Sequence, residues 1–173
     1  MPHSPAALIF RIRWMLALFL FGLIASGVTA FPLLKELELV ASLRGLDGSS
    51  SSIAANGLEF WILIVRDGLR ESYSRHPWIA YGTDWLAFSH LAIAVFFIGP
   101  FVDPARNVWV LKAGLILCAG VIPLALICGE IRGIPIGWRL IDSSFGVFGA
   151  MPLYFCLKWT KVLETIGSSN DRV

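Results

Sequence analysis

Residues 81–128 read YGTDWLAFSHLAIAVFFIGPFVDPARNVWVLKAGLILCAGVIPLALIC. Two apolar runs, at about 81–101 and 107–128, are separated by a short polar break around DPARN. A helix rises 1.5 Å per residue, so roughly 20 such residues cross a hydrocarbon layer about 30 Å thick. Within the break, Asp103 offers an N-cap oxygen and Pro104 suits the first helical position, which marks the start of a new helix. The spacing therefore predicts two membrane-crossing helices joined as a tight hairpin. Pro123 is expected to kink the second of them, and Trp109 to sit at the membrane interface.

The rest of the chain fits that setting. It has 57% hydrophobic and 15% charged residues with a mean hydropathy of +0.74, outside the range of a soluble globular domain. Its 173 residues accommodate a single domain of about four spans plus connections. The net charge of +2 is too small to argue for nucleic acid. Cys118, Cys128 and Cys156 all fall in apolar runs without CxxC spacing, so they read as small core residues and not as a metal or disulfide framework.

A first span is expected at 14–34, with Arg11 and Arg13 before it and Lys35 after it. These flanks also resemble a signal peptide, with Val28-Thr29-Ala30 as its small-residue site. The apolar run, however, continues through FPLL, as an uncleaved anchor would. A fourth span is expected at 137–159, after Pro135. Between spans one and two, residues 35–80 form a charged connection with DGSSSS (47–52) as a solvated turn between two amphipathic stretches. In the second stretch, Leu58, Trp61, Ile62, Val65, Leu69 and Tyr73 recur near helical spacing, with Glu59, Arg66, Asp67, Arg70 and Glu71 between them. It reads as an amphipathic helix at the interface, apolar side down. The rival reading has residues 53–65 dipping into the membrane. The fold class is thus all-α: four transmembrane helices with an interfacial helix between the first and second.

Arg11, Arg13, Arg106, Lys112, Lys158, Lys161 and Arg172 fall on the side of both termini, and the positive-inside rule puts that side in the cytoplasm. The exoplasmic end then gathers Asp84 and His90 of span two, Glu130 and Arg132 of the last connection, and Arg139 and Asp142 of span four. These six are the candidate ligand-binding residues. Arg139 and Asp142 are three apart and share a helical face, so they can pair, and at least one of Arg132 and Arg139 is expected to form a direct ion pair with Glu130, Asp142 or Asp84. Asp142 would lie roughly 8 Å and His90 roughly 12 Å inside their spans. A charge at depth costs about 2.5–3.5 kcal/mol on the milder insertion scale, which makes such residues site candidates by default. Each has a structural reading too: an arginine can snorkel or pin a loop, Asp84 can cap a helix, and His90 can be a satisfied core histidine.

Only His90 of the three histidines lies within a span, so a haem held by two matched histidines is not indicated. A metal site from His90, Asp84, Glu130 and Asp142 would be chemically reasonable, but no spacing of known metal motifs supports it. The small residues Ser143, Gly146, Gly149 and Ala150 mark a face of span four open to close helix packing, within the bundle or between subunits.

TAFPL, YGTDWLAFSH, DPARN, IRGIP and WRLIDSSFG together resemble a group of small bacterial multi-pass membrane proteins. The resemblance covers mainly residues 81–153 and the end of span one. It implies four spans and a bacterial inner-membrane setting, and it carries no activity or cofactor onto these residues. The first functional expectation is a binding protein whose exoplasmic polar pocket takes a lipid headgroup, a quinone-like small molecule or a partner subunit, with Arg132 and Arg139 as anchors. The alternatives are a membrane-embedded enzyme or redox component using His90 and Asp84, and a proton- or ion-coupled transporter acting as an oligomer.

Overall fold

The computed structural model describes residues 4–46 and 57–170; the DGSSSS turn, residues 53–56 and His3 lie outside them. Among the described residues the chain is helical, with no strand. We number the helices α1 (Pro5–Ala30), α2 (Leu33–Leu43), α3 (Leu58–Arg75), α4 (Ala80–Val102), α5 (Val108–Ile131) and α6 (Ile136–Asn170). A 3₁₀ turn, Pro77–Ile79, leads into α4. α1, α4, α5 and α6 are long and apolar enough to cross a membrane.

The chain forms two compact units, one of Met1–Gly22 with Ile93–Val173 and one of Leu23–Ala92. In the first, Ile12 and Leu16 of α1, Phe97 of α4, Leu111 of α5, and Leu153 and Cys156 of α6 form a buried core. Lipid is as apolar as leucine, so helices associate in a membrane through close fit more than through apolar burial. The fit here is made by glycines. A Cβ on Gly114 would come 2.6 Å from the Phe97 ring and 2.7 Å from a Leu153 methyl, and one on Gly146 would meet the Cys118 carbonyl oxygen at 2.5 Å. Gly149 lies against the Cys118 sulfur. Two of the four small residues expected on α6 thus pack within the chain, against α5.

Helix ends depart from the apolar runs for local reasons. α1 was expected over 14–34 but runs from Pro5 to Ala30. Ser4 Oγ accepts the Ala7 amide at 3.3 Å and Pro5 takes the first helical position, so the start is capped nine residues before the apolar run. The stop comes early because Pro32 lacks an N–H and disfavours helix for the residue before it; residues 31–34 become the turn and the beginning of α2. Arg13, inside α1, donates from Nε to the Phe101 carbonyl (3.2 Å) and from Nη2 to that of Val102 (3.4 Å), satisfying the last carbonyls of α4.

The α4–α5 break also corrects an expectation. Asp103 Oδ1 accepts the Arg106 amide at 3.1 Å, and Asn107 donates to the Asp103 carbonyl at 2.8 Å, so Asp103 organises a turn and the helix proper starts at Val108. Gly99 leaves room for that Asn107 side chain: a Cβ there would sit 2.8 Å from its Oδ1. Pro123 has no amide to donate, and the expected irregularity takes the form of a π-helical stretch, Leu124–Cys128, directly after it.

In the second unit, α2 and α3 form an antiparallel helical hairpin: Arg70 meets Glu38 at 2.7 Å, and farther along Arg44 meets Glu59 at 3.7 Å. α2 ends in a Schellman motif, with Gly45 at φ +68°, the Leu46 amide on the Ala41 carbonyl (2.8 Å) and the Gly45 amide on that of Ser42 (3.0 Å). The motif folds Leu46 back onto Ala41, and both cluster with Leu63 of α3. The buried stripe of α3 is Ile62, Leu63 and Arg66, whereas Leu58 of the expected apolar stripe is exposed. Arg66 is only 7% exposed. Its guanidinium reaches the Asp67 carboxylate at 2.8 Å and the Leu46 carbonyl at 3.3 Å, which is how α2 tolerates a cation beneath it.

Candidate functional site

The connection between α5 and α6 is built by another Schellman turn. Gly133, at φ +68°, donates to the Glu130 carbonyl (3.0 Å), and Ile134 donates to that of Gly129 (2.9 Å). Pro135 follows and accepts from the amides of Trp138 and Arg139, starting α6. The turn brings α6 back beside the end of α5, so the aliphatic stem of Arg139 lies over Gly129. A Cβ at Gly129 would be 2.5 Å from Arg139 Cδ.

From that position Arg139 Nη1 makes an ion pair with Glu130 and donates to the Leu126 carbonyl at 3.3 Å, in the π-helical stretch. An ion pair between this arginine and an acid of the cluster was expected. Its partner is Glu130, although the three-residue spacing suggests Asp142. The pair is asymmetric: the Arg139 side chain is 14% exposed and that of Glu130 is 71% exposed. Arg139 Nε is buried and has no hydrogen-bond partner. Arg132 is exposed and Asp142 half-buried, and neither side chain makes an ion pair or hydrogen bond among the described residues. Ser143 donates back to the Arg139 carbonyl at 2.8 Å, closing the first turns of α6.

Asp84 and His90 belong to the other unit. Asp84 is half-buried, one turn inside α4, and makes no capping bond among the described residues, so the capping reading is set aside. His90 Nδ1 lies 2.8 Å from the Leu86 carbonyl one turn back and donates to it, since a carbonyl can only accept; in the neutral ring Nε2 is then the lone-pair nitrogen. Its Cβ is near Gly27 of α1, where an added Cβ would come within 3.0 Å. Among the described residues, no group of three or more His, Cys, Asp or Glu is placed to hold a metal ion.

Two polar contacts escape sequence reasoning. Arg66 is buried, although its neighbours in sequence read as a solvated face. Thr83 Oγ1 donates to the Ala80 carbonyl (2.6 Å) and so accepts from the Tyr73 hydroxyl (3.1 Å), tying the end of α3 to the start of α4. Tyr73 stands in the expected apolar stripe, and a tyrosine there with a threonine just past a proline turn was the available signal.

The fold defines a class: an all-helical, multi-pass membrane protein with a lopsided Arg–Glu pair in the connection between its last two long helices. No family model, curated protein or solved structure matches the chain.

Proposed function

We propose that this is an integral protein of the bacterial cytoplasmic membrane, with both termini in the cytoplasm, that binds the anionic group of a lipid or quinone-like amphiphile at its α5–α6 connection. Arg139 and Arg132 are the anchors. The observation that carries the reading is the state of Arg139: a guanidinium held nearly out of solvent, with Nε unpartnered and a counter-ion that is mostly in water. A phosphate or carboxylate that displaces Glu130 would engage the planar fork with two oxygens, a geometry arginine favours. Arg132, exposed and unpartnered, supplies a second positive charge seven residues earlier. The bilayer provides amphiphiles with such headgroups at the depth where a helix end emerges. The charge balance of spans and loops supports the exoplasmic assignment of this connection.

Native mass spectrometry of the detergent-purified protein, with extraction of retained lipid, tests this. The wild type retains an anionic amphiphile, and Arg132→Ala combined with Arg139→Gln loses it several-fold. Equal retention by wild type and variant overturns the proposal. A redox reading of His90 has one supporting observation, the Nδ1 bond that leaves Nε2 as a ligating nitrogen. A visible spectrum and metal analysis decide it: a colourless, metal-free preparation ends that reading.

A further inference from the structure

The α2–α3 hairpin raises the question of which surface meets lipid. The apolar stripe of α3 is the natural candidate from sequence, but its Ile62 and Leu63 are buried, and Leu63 is already packed against Ala41 and Leu46. Apart from Leu58 at the start of α3, the exposed apolar surface of the hairpin is on α2. Leu39 is 58% and Leu43 77% exposed, one turn apart, with Val40 beside them. Exposed Lys35 lies one turn before Leu39 on the same line.

We infer that the hairpin rests on the bilayer through this α2 edge of Leu39, Val40 and Leu43, and that Lys35 reaches the lipid phosphates. The argument for lipid, over a protein partner, is continuity of the chain. α1 is long and apolar enough to cross the membrane and ends at Ala30; α2 begins at Leu33. Three residues span at most about 10 Å, so the start of α2 is held at the point where α1 leaves the hydrocarbon. An apolar edge tethered there meets lipid at high effective concentration, and ordering it costs little beyond what the tether has already imposed. Lys35 suits the same occupant, because its stem can lie along the apolar edge while its ammonium reaches phosphate. Four charged groups of the hairpin are engaged across its two helices, Glu38 with Arg70 and Arg44 with Glu59, and half-buried Glu36, one turn before Val40, lies beside Lys35 at the headgroup end of the edge.

The inference rests on the membrane reading of the chain and is independent of the Arg139 site. The test uses the full chain, otherwise native, with a photoreactive leucine analogue in place of Leu43, reconstituted in vesicles of phosphatidylcholine and phosphatidylglycerol. A second protein carries a photoreactive residue at exposed Ser74 of α3. Mass spectrometry of the irradiated samples reads the adducts. Lipid adducts at position 43, several-fold above those at position 74, are the expected result. Crosslinks from position 43 to a second copy or to another part of the chain overturn the inference, as does water capture equal to that at position 74. Loss of lipid retention in the Arg132/Arg139 variant leaves this readout unchanged, so the two proposals fail separately.

Discussion

Arg139 sets the energetics of its cluster because it is the buried member of an unequal pair. Removing Glu130 strands a guanidinium that is 14% exposed, whereas removing Arg139 leaves a carboxylate already in water. Glu130→Gln should therefore destabilise the protein by about 1 kcal/mol, and Arg139→Leu, which keeps apolar bulk over Gly129, by less. The double variant should match Arg139→Leu to within about 0.5 kcal/mol, since nothing remains for Glu130 to pair with. Thermal denaturation in detergent reads all three. Losses that simply add would contradict the pairing. Sequence spacing located this cluster and the expectation that Arg132 or Arg139 pairs with one of its acids, but it left Glu130, Asp142 and Asp84 open as partners, because a string of letters shows only the three-residue interval to Asp142 and the tight turn that returns to Glu130. The choice of Glu130 depends on the stem of Arg139 lying over Gly129, which only the returning chain creates. A second arginine gives a pH expectation. The hydrogen bond that Arg70 donates to the Glu38 carboxylate, ahead of that carboxylate's charge, holds the Arg70 guanidinium above its ordinary range. A cation whose pKa is raised on folding contributes below its ordinary value and loses that contribution only as pH rises through the raised one. Raising pH from about 7 to about 10 should thus leave hydrogen-exchange protection in α3 unchanged after correction for intrinsic rates; selective loss there would contradict it.

At the scale of elements, the close packing of α5 on α6 hinges on glycines whose roles differ sharply. A side chain at Gly146 would collide with the Cys118 backbone carbonyl, which cannot move aside without shifting the helix, whereas a Cβ at Gly120 meets nothing within 4 Å. Gly146→Val should cost about 1–3 kcal/mol from overpacking. Gly120→Ala should be neutral or stabilise by up to about 1 kcal/mol from helix propensity. Equal effects in a detergent melt would mean that the two helices do not approach as described. Much at this scale was legible. The α4–α5 hairpin followed from two apolar runs around DPARN, the small-residue face of α6 from its spacing, and the α3 helix from its amphipathic pattern. What was not legible depended on neighbours distant in sequence. α1 extends through Arg11 and Arg13 because Ser4 caps it and Arg13 finds the end of α4. Arg66 is buried because a glycine turn folds Leu46 over α3, and no periodicity in α3 alone announces that.

For the whole molecule, the decisive feature is what the helices leave uncovered. Phe21, Phe96, Trp109, Phe145 and Phe148 are each more than three-fifths exposed, a surface that in water would drive aggregation and in lipid matches its solvent. The proposed topology has four helices crossing a membrane, with both termini inside and the Arg139 connection outside. The most direct measurement is labelling of single cysteines by a membrane-impermeant maleimide in intact bacterial cells, using full-length chains with the three native cysteines replaced by alanine. Exposed Arg132, in the α5–α6 connection, and exposed Arg106, in the α4–α5 turn, are the two reporter positions. In the proposed topology Arg132→Cys labels in intact cells and Arg106→Cys labels only after the membrane is permeabilised. Labelling of Arg106→Cys in intact cells, or protection of Arg132→Cys until permeabilisation, would contradict it.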